Sequence, residues 1–161
     1  MPRPAHPTIT TMLRFQLITP DRVLYEGDAE SVSLPTPQGE ITVLPHHIPL
    51  ISIVVPGTLV VRGPQGGPSG RGEEHVFAVS RGVVEVDGAS LRILADTADR
   101  ADELQEEAIR QAKAEAERLR KEKRDDLEGF AEATAVMERE IAKLAALRRK
   151  KARGKQPRIE Q

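Results

Sequence analysis

Up to Ala95, apolar residues come in short runs that alternate with polar ones or fill brief uninterrupted stretches. Leu13-Arg-Phe-Gln-Leu-Ile alternates before Pro20-Asp21 turns the chain. Val23-Leu-Tyr resumes the pattern, Gly27-Asp28 interrupts it, and Ser31-Val-Ser-Leu alternates again. Ile41-Thr-Val-Leu lies between Gly39 and Pro45, and the apolar stretch from Leu50 to Val55 ends at the turn signal Pro56-Gly57. Leu59-Val-Val, His75 to Val79, Val83 to Val86 and Leu91 to Ala95 complete the set, with Asp87-Gly88 marking a tight hairpin turn. Short strands with a turn every eight to ten residues or so predict an antiparallel β sandwich of about 8–10 strands. Gly63 to Gly72, with five glycines and two prolines, reads as a mobile hairpin spacer without chemistry of its own.

Near residue 98 the period changes. Asp96-Thr97-Ala98-Asp99 offers N-cap candidates ahead of an alanine-rich run. Ala101, Leu104, Ala108, Ala112, Glu115/Ala116 and Leu119 then share one face at helical spacing. Asp102, Glu103, Glu106 and Glu107 crowd the first turns and Arg120, Lys121, Lys123 and Arg124 the last, both complementing the helix dipole. Asp125-Asp126 to Gly129 breaks the run, and a second helix carries Phe130, Ala133, Met137, Ile141 and Leu144 on one stripe. Two such stripes predict a C-terminal antiparallel αα-hairpin. The expected organisation is a mobile arm at 1–11, the sandwich at 12–97, the hairpin at 98–150 and a basic disordered tail at 151–161, with Met12 a candidate start. Large buried side chains contribute ~1.5–3 kcal/mol each, so a mainly alanine interface gains about 10 kcal/mol on docking before ordering costs reduce it to a few. Such a hairpin is either permanently docked or open to capture by a competing partner, and the residues leave both readings standing.

Composition narrows the function classes. Eleven of twelve prolines precede residue 69, whereas residues 99–153 hold 29 of the 49 charged residues and no proline. Cysteine is absent, so neither a disulfide framework nor a thiolate metal site exists. Four aromatic residues (Phe15, Tyr25, Phe77, Phe130) are too few for a single-strand stacking platform. A net charge of −1 gives no global pull toward DNA or anionic lipid. Charge is local instead: Arg148 to Arg158 contains seven basic residues and no acidic one. That run reads as a solvated helix end, as an element for docking on an acidic protein surface, or as a nonspecific nucleic-acid contact. No apolar stretch reaches the roughly 18 residues of a membrane helix, and the N-terminus lacks a signal-peptide core, so a cytoplasmic protein is expected.

Candidate chemistry is sparse. His46-His47 with Glu40 is the one metal-like grouping, yet adjacent histidines in extended chain point to opposite sides. The chain holds no Gly-x-Ser-x-Gly elbow and no Walker-type loop, since Gly154-Lys155 is followed by Gln156. The expectation is a non-catalytic protein with no catalytic residue, metal or cofactor, acting through partners.

Three blocks resemble the epsilon subunit of the bacterial F-type ATP synthase. The first is Thr19-Pro-Asp-Arg-Val-Leu-Tyr-Glu-Gly. The second and most specific is Gly39-Glu-Ile-Thr-Val-Leu-Pro-His-His-Ile-Pro-Leu50 followed by Pro56-Gly57, similar to the family's Gly-Glu-x-Gly-x-Leu-Pro-x-His-x-Pro-Leu. The third runs from Val86 through Leu91-Arg-Ile-Leu-Ala-Asp-Thr-Ala-Asp-Arg-Ala-Asp-Glu-Leu. The resemblance covers residues 12 to 153 or so. It implies a rotor subunit of the central stalk in proton-driven ATP synthesis, set against the gamma subunit and the c-ring, peripheral on the cytoplasmic face of the cell membrane.

On the same resemblance, Glu40, His47, Ile48, Pro49 and Leu50 face the c-ring. The hairpin end, Arg148, Arg149, Lys150, Lys151 and Arg153, meets the alpha/beta catalytic hexamer when the helices rise to block hydrolysis. The chain also departs from the family. Where many members read Ile/Leu-Asp-x-x-Arg-Ala, a motif linked to ATP binding, this chain has Leu104-Gln105-Glu106-Glu107-Ala108-Ile109. An amide at Gln105 and a methyl at Ala108 remove the carboxylate and the bidentate donor, so ATP binding is expected to be weak or absent. Thr42 and His46 stand where relatives often have glycine, which leaves the loop's shape open. The rival reading is a binding module whose basic helical tail contacts nucleic acid.

Overall fold

The computed structural model describes residues 12–64 and 72–154, so the expected arm at 1–11, the centre of the Gly63–Gly72 spacer and residues 155–161 lie outside it. Nine strands form where the alternation places them: β1 (Leu13–Ile18), β2 (Val23–Ala29), β3 (Ser31–Thr36), β4 (Gly39–Val43), β5 (Leu50–Val54), β6 (Gly57–Arg62), β7 (Glu74–Val79), β8 (Gly82–Val86) and β9 (Ser90–Ala95). They build two five-stranded sheets, the first in the order β2-β1-β9-β8-β5. The second runs β10-β7-β6-β3-β4, with β10 (Ala98–Arg100) as its edge. Every neighbouring pair is antiparallel except β1 with β9, which run parallel. Hairpin turns specify only antiparallel neighbours; the parallel pair is made by strands at opposite ends of the domain.

The sandwich core is the sum of the inward positions. Leu13, Phe15 and Leu17 of β1 meet Leu91 and Ile93 of β9, and Val32, Leu34, Leu59, Val61 and Phe77 close the layer from the second sheet, all buried. Tyr25 fills the β2 side, its ring 5.7 Å from Phe15 and 5.5 Å from Phe77. Asp87 shapes the β8–β9 turn by accepting from the Ser90 and Ala89 amides at 2.6 and 3.0 Å, and Gly88 takes a φ of +93° there.

Residues 98–100 correct the expected domain boundary at 97. They form a strand, with Ala98 opposite Val79 and Arg100 opposite Phe77. Ser80 ties the crossover, donating to the Thr97 carbonyl at 3.1 Å and accepting from its amide at 2.8 Å. The unpaired edge of β7 captures a segment whose own sequence favours a helix start. A 3-10 turn follows (Ala101–Glu103), then α1 (Glu106–Glu122) and α2 (Leu127–Gly154). The expected stripe holds at Ala101 and Ala116, both buried, and differs at one position, where Ile109 is buried and Ala108 exposed.

The stripe on α2 also differs. Ile141 is 44% exposed, whereas Ala142, Leu144, Ala146 and Leu147 are buried. Two contacts account for this. Ala146 seats against Ala78 of β7 and Ala101, and Leu144 and Leu147 pack on Ile109 of α1. Small residues let the helix axis approach the outer face of the second sheet closely, while the larger ones turn toward α1. Replacing Ala146, which is fully buried, with leucine overfills that seat. We expect Ala146→Leu to weaken hairpin docking by ~1–3 kcal/mol, seen as faster amide exchange in α2 with the β core still protected.

Candidate functional site

Three surfaces hold the residues singled out above. The first is the open side of the sandwich where the edge strands β4 and β5 meet through residues 44–49. Glu40 pairs with Pro35 at the start of β4, the end at which the Val55 amide donates to the Pro35 carbonyl at 3.2 Å. His47 lies past the other end of β4, where the His46 amide donates to the Gly88 carbonyl at 2.8 Å. The motif thus joins in sequence two groups that the strand holds apart; both are on one edge, at opposite ends of it.

His46 takes the left-handed conformation, φ 65°. Thr42 fits its strand because its hydroxyl pairs with that of Ser33 across the ladder at 2.8 Å. The His47 Nδ1 donates to the Ile48 carbonyl at 2.8 Å, which leaves Nε2 as the acceptor. Ile48 is 75% exposed and Pro49 is exposed too, but Leu50 is half-buried against the sandwich core.

The second surface, missed from sequence, is the outer face of the first sheet. The registers align Val23, Ile18, Leu94, Val83 and Ile53 in a single row crossing all five strands. Val23, Leu94 and Ile53 are 52%, 49% and 60% exposed. The adjacent row, Glu26, Gln16, Arg92 and Glu85, is polar and cross-linked: Arg92 Nε donates to Gln16 at 3.3 Å, Gln16 donates to Glu26 at 3.1 Å, and Arg92 pairs with Glu85 at 3.7 Å. An apolar row beside a polar ladder has the composition of a docking face. The alternation placed these residues in strands without linking them to one another; the register puts them in line.

The third is the end of α2. The expected tail boundary at 151 is corrected, because the helix continues to Gly154 and its last basic side chains are engaged. Lys150 pairs with Asp102, Lys151 with Glu106, and Arg153 with Glu74 at 2.8 Å. Arg148 and Arg149 form no ion pair among the described residues. Gln105 is extended ahead of α1 and makes no side-chain cap, and Ala108 faces solvent. A groove of about 400 Å³ between α1 and α2 is lined by Ala112, Ala116, Leu119, Ala133 and Val136 among others, without a basic cradle beyond Lys123. Among the described residues no cluster of three or more metal-ligating side chains is placed to hold an ion, and no helix is long and apolar enough to cross a membrane.

The family model for the ATP synthase Delta/Epsilon chain beta-sandwich domain matches residues 12–101. The ATP synthase epsilon chain of Chromobacterium violaceum is 36% identical over 135 residues, spanning 84% of this chain and 92% of that protein. The chain belongs to the ATP synthase epsilon-chain family. The epsilon chain of Moorella thermoacetica is 40% identical over 134 residues, 83% of this chain and 95% of the relative. The fold also matches a chain of a Euglena gracilis mitochondrial ATP synthase structure (OSCP/F1/c-ring), with a TM-score of 0.69 at 20% identity, covering 85% of this chain and 82% of that one.

The ion pairs of the third surface carry a pH signature. Hydrogen bonding from Lys151, then from Arg110, lowers the Glu106 carboxyl from 4.5 to about 2. Hydrogen bonding from Lys150 lowers Asp102 in the same direction. A carboxylate depressed in the docked state favours docking at every pH above its ordinary value, and that advantage is lost as pH falls toward the depressed one. We therefore expect the closure of α2 on α1 and the 3-10 turn to be flat from pH 8 to 5 and to loosen between about 4.5 and 2, with Glu106→Gln removing part of the response. Amide exchange at Ile109 and Leu144 measures it; an equal response in the Gln variant contradicts it.

Proposed function

We propose that this chain is a non-catalytic rotor subunit of an F-type ATP synthase, joining gamma to the c-ring in the central stalk and carrying a hairpin that restrains ATP hydrolysis. The observation that carries the reading is the asymmetry of the sandwich. One outer face is covered by α2, and the other presents a solvent-exposed apolar row across a whole sheet. A subunit that transmits torque needs a stiff body with one broad face for a permanent neighbour, and two close-packed β layers supply the stiffness. The row from Val23 to Ile53 is the face for gamma.

The edge bearing Glu40, His47, Ile48 and Pro49 is the surface for the polar loops of the c-ring, with Leu50 a packing residue behind it. Arg148, Arg149, Lys150, Lys151 and Arg153 are the contact to the alpha/beta hexamer once the hairpin rises. Association with the cytoplasmic face of the membrane is peripheral and runs through the complex. ATP binding is weak or absent, because Gln105 and Ala108 lack the motif's charged groups and Glu106 is held by Lys151 and Arg110. The nucleic-acid reading loses its basis, since three of the five basic residues at the helix end face carboxylates of the same chain.

Co-purification with gamma tests the assignment. The unsubstituted chain should be retained at one-to-one stoichiometry, and Ile53→Lys with Leu94→Lys should abolish retention while circular dichroism stays unchanged. Full retention of the double variant sinks the gamma face. Truncation after Arg100, which keeps β10 in place, should leave assembly intact and raise ATP hydrolysis of the complex severalfold. Unchanged hydrolysis removes the restraining role.

A further inference from the structure

The end of α2 rests on carboxylates drawn from three different elements: Asp102 of the 3-10 turn, Glu106 at the start of α1, and Glu74 of β7. Farther back along the helix, Lys143 reaches Asp99 of β10 at 3.5 Å and Glu138 pairs with Arg81 at 3.3 Å. Apart from these pairs, the seat of α2 on the second sheet is mostly alanine.

Each carboxylate that receives a basic side chain from this helix end has a second cation close by. Glu74, whose side chain is only 9% exposed, also pairs with Arg62 at 3.4 Å. Glu106 also pairs with Arg110 at 2.6 Å. Asp102 feels the attraction of Arg100 and of His75. On the helix itself, the buried Glu140 is paired with Lys143 at 3.2 Å and moves with it. Lifting α2 away therefore strands no buried charge, which is the usual penalty for breaking such pairs.

We propose that these pairs form a reversible charge clasp, in which the folded hairpin and any acidic partner compete for the same three cations, Lys150, Lys151 and Arg153. The spare cations make release cheap for the three carboxylates left behind on β7, the 3-10 turn and α1. The released side chains are long, solvent-accessible and all on one helix end, so they arrive at a partner as a group. Ionic strength then becomes an opening signal, because exposed pairs are screened while the alanine seat is not. The clasp is a property of the chain alone; only its regulatory meaning rests on the rotor reading.

The absence of native cysteine allows paired labels on the full chain. Spin labels at Gln38→Cys and Ala145→Cys, both on exposed positions, report the separation of the sandwich from α2. One short distance should dominate in 50 mM salt or thereabouts, and a longer population should grow about fivefold in ~1 M salt. Lys150→Glu with Lys151→Glu and Arg153→Glu should raise the long-distance population about tenfold or more. Lys150→Asp should open the hairpin about two- to fivefold, and adding Asp102→Lys should restore the short distance. A distance distribution indifferent to salt and to the triple reversal overturns the clasp, as does a swapped pair that stays as open as Lys150→Asp. No partner enters this measurement, so its failure leaves the gamma assignment standing, and loss of gamma binding leaves the clasp standing.

Discussion

The contact on which the rest depends is the seat of α2 on the second sheet, and it is thin. Ala78, Ala101 and Ala146 form its buried centre, with Val76 and Leu104 at the margin. Alanine gives close approach but little apolar area, so burial alone holds the helix far less firmly than leucines would. In that regime the peripheral charges decide the balance. A seat of large residues would make the ion pairs irrelevant, and a seat without ion pairs would leave a helix that wanders. The combination gives a hairpin that is docked yet responsive to its surroundings.

The two outer faces of the sandwich follow opposite rules for the same reason. The second sheet can leave Val60 and Ala78 pointing outward only because α2 and the segment from β10 to α1 cover that side. Among the described residues the first sheet has no such cover, and its outward row from Val23 to Ile53 is apolar all the same. Residues on the row are small and β-branched or leucine, which suits a flat surface meeting another flat surface. The polar ladder beside it, linked through Gln16 and Arg92, keeps the face soluble and fixes where an apolar partner must stop.

Much of this fold was legible in the chain, and what was not has identifiable causes. Alternation in strands such as β1, β8 and β9, short apolar runs in β6 and β7, and turn residues between them marked nine strands. β10 left none. Ala98-Asp99-Arg100 becomes a strand only because the edge of β7 offers partners, a tertiary effect that overrides a local preference for helix. That capture delays α1 to Glu106, and Ile109 rather than Ala108 is the first residue the helix buries, with Ala116 buried as the stripe expected. The basic run at 151–154 read as a tail because charge hides helical period when every face is charged. At the candidate interfaces, sequence adjacency misled once: Glu40 and His47 share a motif, but a strand lies between them. The apolar row escaped notice because it is a property of register across five strands, and no single strand contains more than one member of it.

The motif that identified the family is also the part of the chain least tied to charge. Its glycine and proline positions set the β4–β5 connection, and His46 shows what the backbone there demands: the left-handed conformation persists although the residue is not glycine. Persistence against that strain means the loop is held from outside itself, by the bond from the His46 amide to Gly88 in the β8–β9 turn. Gly88 in turn holds its own positive φ beside the Asp87 carboxylate that caps the turn. The two loops are therefore tied to each other at this bond, and His47 and Ile48 follow directly from it. The hairpin at the other side of the molecule is mounted on alanine and salt-sensitive pairs. Under the proposed function, a firm contact toward one neighbour and a yielding one toward another suit a part that both turns and regulates, and the two surfaces proposed for them are built from different interactions.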